Sequence, residues 1–152
     1  MVNPDYATVI SGVLVYLKSK APNLYVDESN IYESAGLVDL NQATPFVAII
    51  ITPRESWGTN QKGNMISTML DIEFIVGAPA SENSGDGIRA AMVIAGRILT
   101  LVDAFTNFRV TPNITTPFEF VGTYSDRVMI KLNMETEFDP YIAAPAPVIE
   151  PL

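Results

Sequence analysis

Carboxylates are the side chains in this sequence whose type and spacing bring chemistry to mind. Asp71 and Glu73 alternate along one predicted strand, and Glu135, Glu137 and Asp139 along another, so each set shares a strand face. Paired carboxylates can hold a hard metal ion, or divide acid and base roles in glycoside hydrolysis. That division needs two environments that push two pKa values apart, and acids repeated along one solvated face supply no such asymmetry. The chain has no His and no Cys, which removes thiolate nucleophiles, disulfides, cysteine zinc sites and imidazole bases. The expectation is a protein that is not an enzyme, with no catalytic residue, cofactor or metal. A small carboxylate-dependent, metal-binding hydrolase is the alternative from another class, and it requires Asp71, Glu135 or Glu137 to converge in a pocket.

Other motifs give way to plainer readings. Ser84-Gly85-Asp86-Gly87 precedes a helix but lacks the Lys and full spacing of a phosphate-binding loop, so Asp86 reads as a helix cap. Asn113-Ile114-Thr115 fits a glycosylation sequon and reads as a polar turn. The apolar run Ala7 to Leu17 has Asp5 before it and Lys18 and Lys20 after it, the reverse of the charge order of an export signal. Ile88 to Val102 carries Arg89 and Arg97 and is too short to cross a bilayer, so no membrane association is expected. The net charge of −8 opposes tight wrapping of nucleic acid, whose phosphates demand clustered Lys and Arg.

With 152 residues, 48% of them hydrophobic and 17% charged, the chain is long enough for one domain with a sizeable core. Tyr6, Val9, Ile10, Val13, Leu14 and Leu17 recur at helical spacing. Asn3 is expected to cap that helix, Pro4 to open it and Pro22 to stop it. Leu24 to Thr44 reads as loop with at most one short edge strand. Phe46 to Thr52 is a continuous β-branched run between Pro45 and Pro53, as in a central strand covered on both faces. Ile66 to Val76 alternates, with Ile66, Thr68, Leu70, Ile72, Phe74 and Val76 packed and Ser67, Met69, Asp71 and Glu73 wet. A second helix has the stripe Ile88, Ala91, Met92, Ala95, Leu99, Val102 and Phe105, and Gly96 invites close approach to the sheet. A final hairpin joins Phe118–Val121 to Val128–Phe138 through Gly122–Asp126. The fold class is therefore α+β: a mostly antiparallel sheet of two long hairpins packed by two helices, in the order α-β-β-α-β-β, over residues 1–139.

Two segments stand out as contact surfaces. The loop from Arg54 to Asn64 carries the only Trp, Trp57, together with Arg54 and Lys62. Trp57 reads equally as an interface anchor and as a plug folded onto the sheet, and the two cations equally as solubilising charges. Residues 140–152 form a proline-rich extended tail with apolar handles at Tyr141, Ile142, Val148 and Ile149, either disordered or laid across a neighbour.

Helix, Pro45-Phe46-Val47 opening a strand, a long hairpin loop, Ile66 to Val76, a helix and a closing hairpin together resemble the tail terminator, or tail completion, proteins of long-tailed bacteriophages. The likeness covers residues 4 to 139 and lies in order and spacing. It implies a structural virion protein without catalytic residues. Such a subunit forms a hexameric ring that caps the tail tube, stops its polymerisation and presents a docking surface to the head connector. Implied partners are further copies of the chain, the tail tube protein and the head connector or neck proteins, with DNA only passing through the lumen. The implied location is the tail-neck region of the virion, after assembly in the host cytoplasm. Asp71, Glu73, Glu135 and Glu137 become candidates for the lumen side, where an acidic wall would keep passing DNA mobile. Another small neck or head-closure ring protein is the nearest alternative.

Overall fold

The computed structural model describes residues 5–34, 42–54, 57–59, 65–67, 69–80, 84–113, 116–124 and 126–138, with backbone alone at 57–59, 65–67 and 84. It is an α+β fold built on a mostly antiparallel six-stranded sheet. In chain order the elements are α1 (Tyr6–Ser19), α2 (Ala21–Leu24), β1 (Ile31–Glu33), β2 (Phe46–Pro53), β3 (Trp57–Thr59), β4 (Met65–Ser67), β5 (Met69–Pro79), α3 (Ser84–Asp103), β6 (Thr111–Pro112), β7 (Phe118–Tyr124) and β8 (Arg127–Glu137). The sheet runs β1-β2-β5-β8-β6, with β7 also paired to β8. β1 is parallel to β2, and the other pairs are antiparallel. β3 and β4, between β2 and β5 in the chain, form a separate two-stranded antiparallel ribbon.

Local chemistry sets the helix ends. The Asp5 carboxylate, not Asn3, caps α1 by accepting from the Thr8 N–H at 2.7 Å, and Asn3 and Pro4 lie outside the described residues. α1 ends at Ser19, and Pro22 sits in the first turn of α2, where a missing N–H costs nothing. This third, four-residue helix was not expected from the sequence. It closes on Tyr25 in the left-handed conformation, φ 55°, and the Tyr25 ring lies 4.1 Å beneath the Arg97 guanidinium of α3. α3 starts at Ser84, so Asp86 stands inside its first turn and is not its cap.

One main core lies between the sheet and helices α1 and α3. Val9, Val13 and Leu17 from α1 and Ala91, Ile94, Ala95, Ile98 and Val102 from α3 meet Leu70, Ile72, Phe74 and Val76 of β5 and Ile130, Leu132 and Met134 of β8. The buried stripe of α3 is thus rotated from the expected one: Ile88 and Met92 are exposed, and Gly96 has open space beside it. Tyr6 and Tyr16 tie the layers together, their hydroxyls donating to the Ile51 carbonyl at 3.2 Å and the Leu101 carbonyl at 2.8 Å. The one buried hydroxyl of β8, on Thr136, donates to the Arg109 carbonyl at 2.6 Å.

β2 is buried on both faces from Phe46 to Ile51, as its unbroken apolar run requires. The expected Ile66–Val76 strand divides into β4 and an eleven-residue β5 shifted toward the C terminus, with Thr68 outside the described residues. The second face of β5 is wet only at its start: Ile75 is buried in a smaller cluster with Phe46, Ala48, Ile50 and Met129. The β1–β2 connection reaches this face, because the Gln42 carbonyl accepts from Arg127 Nη1 at 2.6 Å. Gly77 stands directly opposite Phe46, whose fully buried ring occupies the space a Cβ at Gly77 would need. β7 continues to Tyr124 rather than ending at Val121, so the turn into β8 is shorter than the sequence led us to expect.

Two glycines therefore predict opposite outcomes under urea. Gly77→Ala overpacks the Phe46 site and should lose about 1–3 kcal/mol, part of it restored by adding Phe46→Leu. Gly96→Ala sits on an open helical surface and should gain about 0.5–1 kcal/mol.

Candidate functional site

The chemistry-bearing residues collect on the sheet face opposite helices α1 and α3. Antiparallel register puts Asp71 directly opposite Glu135, a like-charge pair that would repel across the ladder on its own. Arg54, immediately after β2, resolves the conflict. Its backbone N–H donates to the Met69 carbonyl at 3.0 Å, which holds the residue beside β5. Its Nε and Nη2 donate to Asp71 Oδ1 at 2.9 and 2.6 Å, and Nη2 also donates to Glu135 Oε2. Hydrogen bonding to Asp71, reinforced by Glu135, raises the guanidinium pKa above its ordinary value against the opposing effect of burial.

A second cluster continues along the strands. Lys131 Nζ lies 3.7 Å from Glu73 and 3.4 Å from Glu119, and Asn133 Nδ2 donates to Glu119 and to the Thr116 carbonyl. With Asp71, Asn113 and Met134 these groups line a polar cleft of about 180 Å³. Glu137 is exposed at the end of β8. The acids foreseen at 71, 73 and 135 are thus brought together, but as half-buried partners of Arg54 and Lys131, not as a freely solvated row. The position a bridging metal ion would take between Asp71 and Glu135 is filled by the guanidinium. Among the described residues no group of three or more acids is arranged to hold a metal ion.

Arg54 is committed to contacts inside the chain, so the alternation of Asp71 with Glu135 and one cation nearby was the available sequence signal for this network. Trp57 lies on β3 with its backbone paired to Ser67. Lys62 and the tail residues Tyr141, Ile142, Val148 and Ile149 lie outside the described residues. At the far end of the same face Arg127, buried to 6% exposure, grips the adjacent Asp126 through Nε and Nη2 at 2.9 and 3.0 Å. Those hydrogen bonds hold the Asp126 carboxyl below its ordinary pKa.

Residues that sequence reasoning passed over occupy the open edge beside this face. β7 is exposed along almost its whole length, including Phe118, Phe120, Val121 and Tyr124. Phe118 and Phe120 stand opposite Leu132 and Ile130, on the helix-bearing face. The helical layer packs on β5 and β8, and both rings are exposed. No helix among the described residues is long and apolar enough to cross a membrane. No protein-family model and no curated protein matches this sequence.

Removing the cation tests the network directly. Arg54→Ala leaves Asp71 and Glu135 facing each other and should cost about 1 kcal/mol, less in high salt. Adding Asp71→Asn should recover part of that loss in a double-mutant cycle read by urea unfolding. Asp126 contributes stability above the unfolded carboxyl pKa of about 4, and the contribution is lost as pH falls through the lower folded value. The melting-point advantage of the parent over Asp126→Asn should therefore be present at pH 7 and shrink as the medium is acidified below that unfolded pKa.

Proposed function

We propose that this protein is a structural virion protein of the tail-terminator type, a subunit of a hexameric ring that caps a phage tail tube, stops its growth and offers a surface to the head connector. The observation that carries the proposal is the open sheet with two unlike ends. One end is the short strand β1, and the other is shared by the two-residue β6 and the longer, apolar, exposed β7. Unlike contact surfaces on one subunit give heterologous association, which closes into a ring when the rotation permits. The fold class agrees with the one that the resemblance in element order implies.

The charged face supplies the second element of the reading. Asp71, Glu73, Glu119, Glu135 and Glu137 stand with Arg54 and Lys131, five carboxylates to two cations, leaving an acidic surface held in place by its own ion pairs. Turned toward the lumen, it would repel the phosphate backbone and let DNA pass without binding. A head-closure or other neck ring would share these requirements and differ in the surface it docks to. The tube protein and the neck proteins are the partners in this proposal, and the virion neck is the location.

Light scattering across a concentration series, with negative-stain images, should show closed six-membered rings with an open centre, alone or at the ends of added tail tubes. Tubes elongating in the presence of the protein should stop growing and carry one ring at the capped end. A chain that stays monomeric at every concentration and leaves tube growth unchanged would overturn the reading. Rings that ignore tubes but bind head connectors would move it to head closure.

A further inference from the structure

We propose that the outer edge of β7 receives the C-terminal segment of a second copy, residues 141–149, as an added strand. This deepens the ring reading and rests on it, because it names the contact that joins neighbours. The edge is defined by register. The Asn133 N–H donates to the Pro117 carbonyl at 2.8 Å, and the Asn133 carbonyl accepts from the Asn113 N–H at 2.9 Å, so odd-numbered residues of β8 direct their backbone toward this side. Glu119, Gly122 and Tyr124, opposite Lys131, Met129 and Arg127, therefore turn their backbone groups inward. Phe118, Phe120 and, past the bulge, Thr123 turn theirs outward.

Exposed edges of this kind are normally blunted by Lys, Pro or a covering element. Between Phe118 and Tyr124 there is no Lys, Arg or Pro, and among the described residues no strand pairs with the outer side. An apolar notch accompanies the edge. Leu99 of α3 shares a cavity with Pro112 and Met134, which turns the Ile88–Met92–Leu99 flank of the helix toward the β6 and β7 side. Ile88 and Met92 are 37% and 40% exposed, and Phe118 and Phe120 are 38% and 60% exposed. These four side chains ask for an extended apolar peptide, not a helix or a charged surface.

The tail sequence has the parity such a strand needs. Pro145, Pro147 and Pro151 are all odd-numbered, so in extended conformation their missing N–H groups fall on one side. The even row, Ile142, Ala144, Ala146, Val148 and Glu150, keeps every N–H for the other side. A strand of this kind pairs through one edge only. Its proline side would stop further sheet growth, as a finite assembly requires.

Reach favours a neighbour's tail over the chain's own. Phe138 lies six residues beyond Leu132, the partner of Phe118, and β6 occupies the intervening edge. Doubling back over those six residues, about 20 Å of strand, would spend Tyr141 and Ile142 before β7 is reached. The roughly eight of the fourteen residues after Phe138 left to pair would lack the Tyr141 and Ile142 handles that a neighbour's 141–149 strand brings whole.

The absence of cysteine makes the test clean. Phe120→Cys and Val148→Cys chains, mixed and treated with a short bismaleimide, should give a heterodimer band absent from either chain alone, and the double variant should cross-link between chains. Truncation after Asp139 should weaken self-association about tenfold or more by light scattering. Phe120→Pro should do the same, since that N–H points outward and serves no pair with β8. The 139–152 peptide should bind the truncated chain. A double variant that cross-links only within one chain, or a truncated chain that associates as the full chain does, would overturn the strand assignment. Rings formed by the truncated chain would sink this inference while leaving the ring reading standing. Tail exchange that yields only open dimers would sink the ring instead.

Discussion

Among the described residues both long helices, α1 and α3, pack on one face of the six-stranded sheet, and the rest of the structure answers that constraint. α1 and α3 supply one apolar layer over β2, β5 and β8. A two-layer arrangement leaves the second sheet face to be stabilised by other means. At one end a small apolar cluster around Phe46 and Met129 serves, with Arg127 donating to the Gln42 carbonyl on the same face. At the other end cross-strand charge takes over. The Phe46–Gly77 opposition marks the apolar end, where a ring fills the space left by a missing side chain.

Charge on that face has a structural purpose before any functional one. Asp71 and Glu135 are placed opposite each other by the β5–β8 ladder, and only a planar cation able to donate to both reconciles them. Lys131 plays the corresponding part between Glu73 and Glu119. The carboxylates are thereby fixed, half-buried and neutralised in part. This is a poor setting for an acid–base pair, which needs one proton held and one released near neutral pH. It is a suitable setting for a stiff acidic surface.

The same two-layer economy explains the exposed edge. β7 pairs with β8 at the margin of the helical layer, so Phe118 and Phe120 lie on the core side of the sheet yet are exposed. In an isolated subunit this arrangement exposes backbone groups and aromatic rings together, which favours association. In the proposal that segment 141–149 of a second copy pairs here, Pro145 and Pro147 share one parity, which would limit what can follow. The acidic face and the open edge are the two observations on which the proposed assembly rests.

Much of this architecture is legible in the residues themselves. The α1 stripe, the doubly buried β2 and the alternation along β8 follow from periodicity, because a helix or strand buries whichever face its spacing makes apolar. The positions of the acids on a common strand face follow from the same period of two. Other features required the folded chain. Ile88 and Met92 look like core residues by spacing, yet lie outside it because the packing of Gly87, Ala91 and Ile98 against the sheet rotates α3. Ile75 belongs to a wet face by alternation and is buried because Phe46, Ala48, Ile50 and Met129 of neighbouring strands gather beside it. The role of Arg54 depends on Glu135, 81 residues away, and the exposure of β7 depends on where the helical layer ends. The sequence alone determined which faces are apolar and which are acidic, since those are local properties of period and side-chain type. Tertiary structure alone decided which of those faces is covered, because coverage depends on which distant elements the chain brings together.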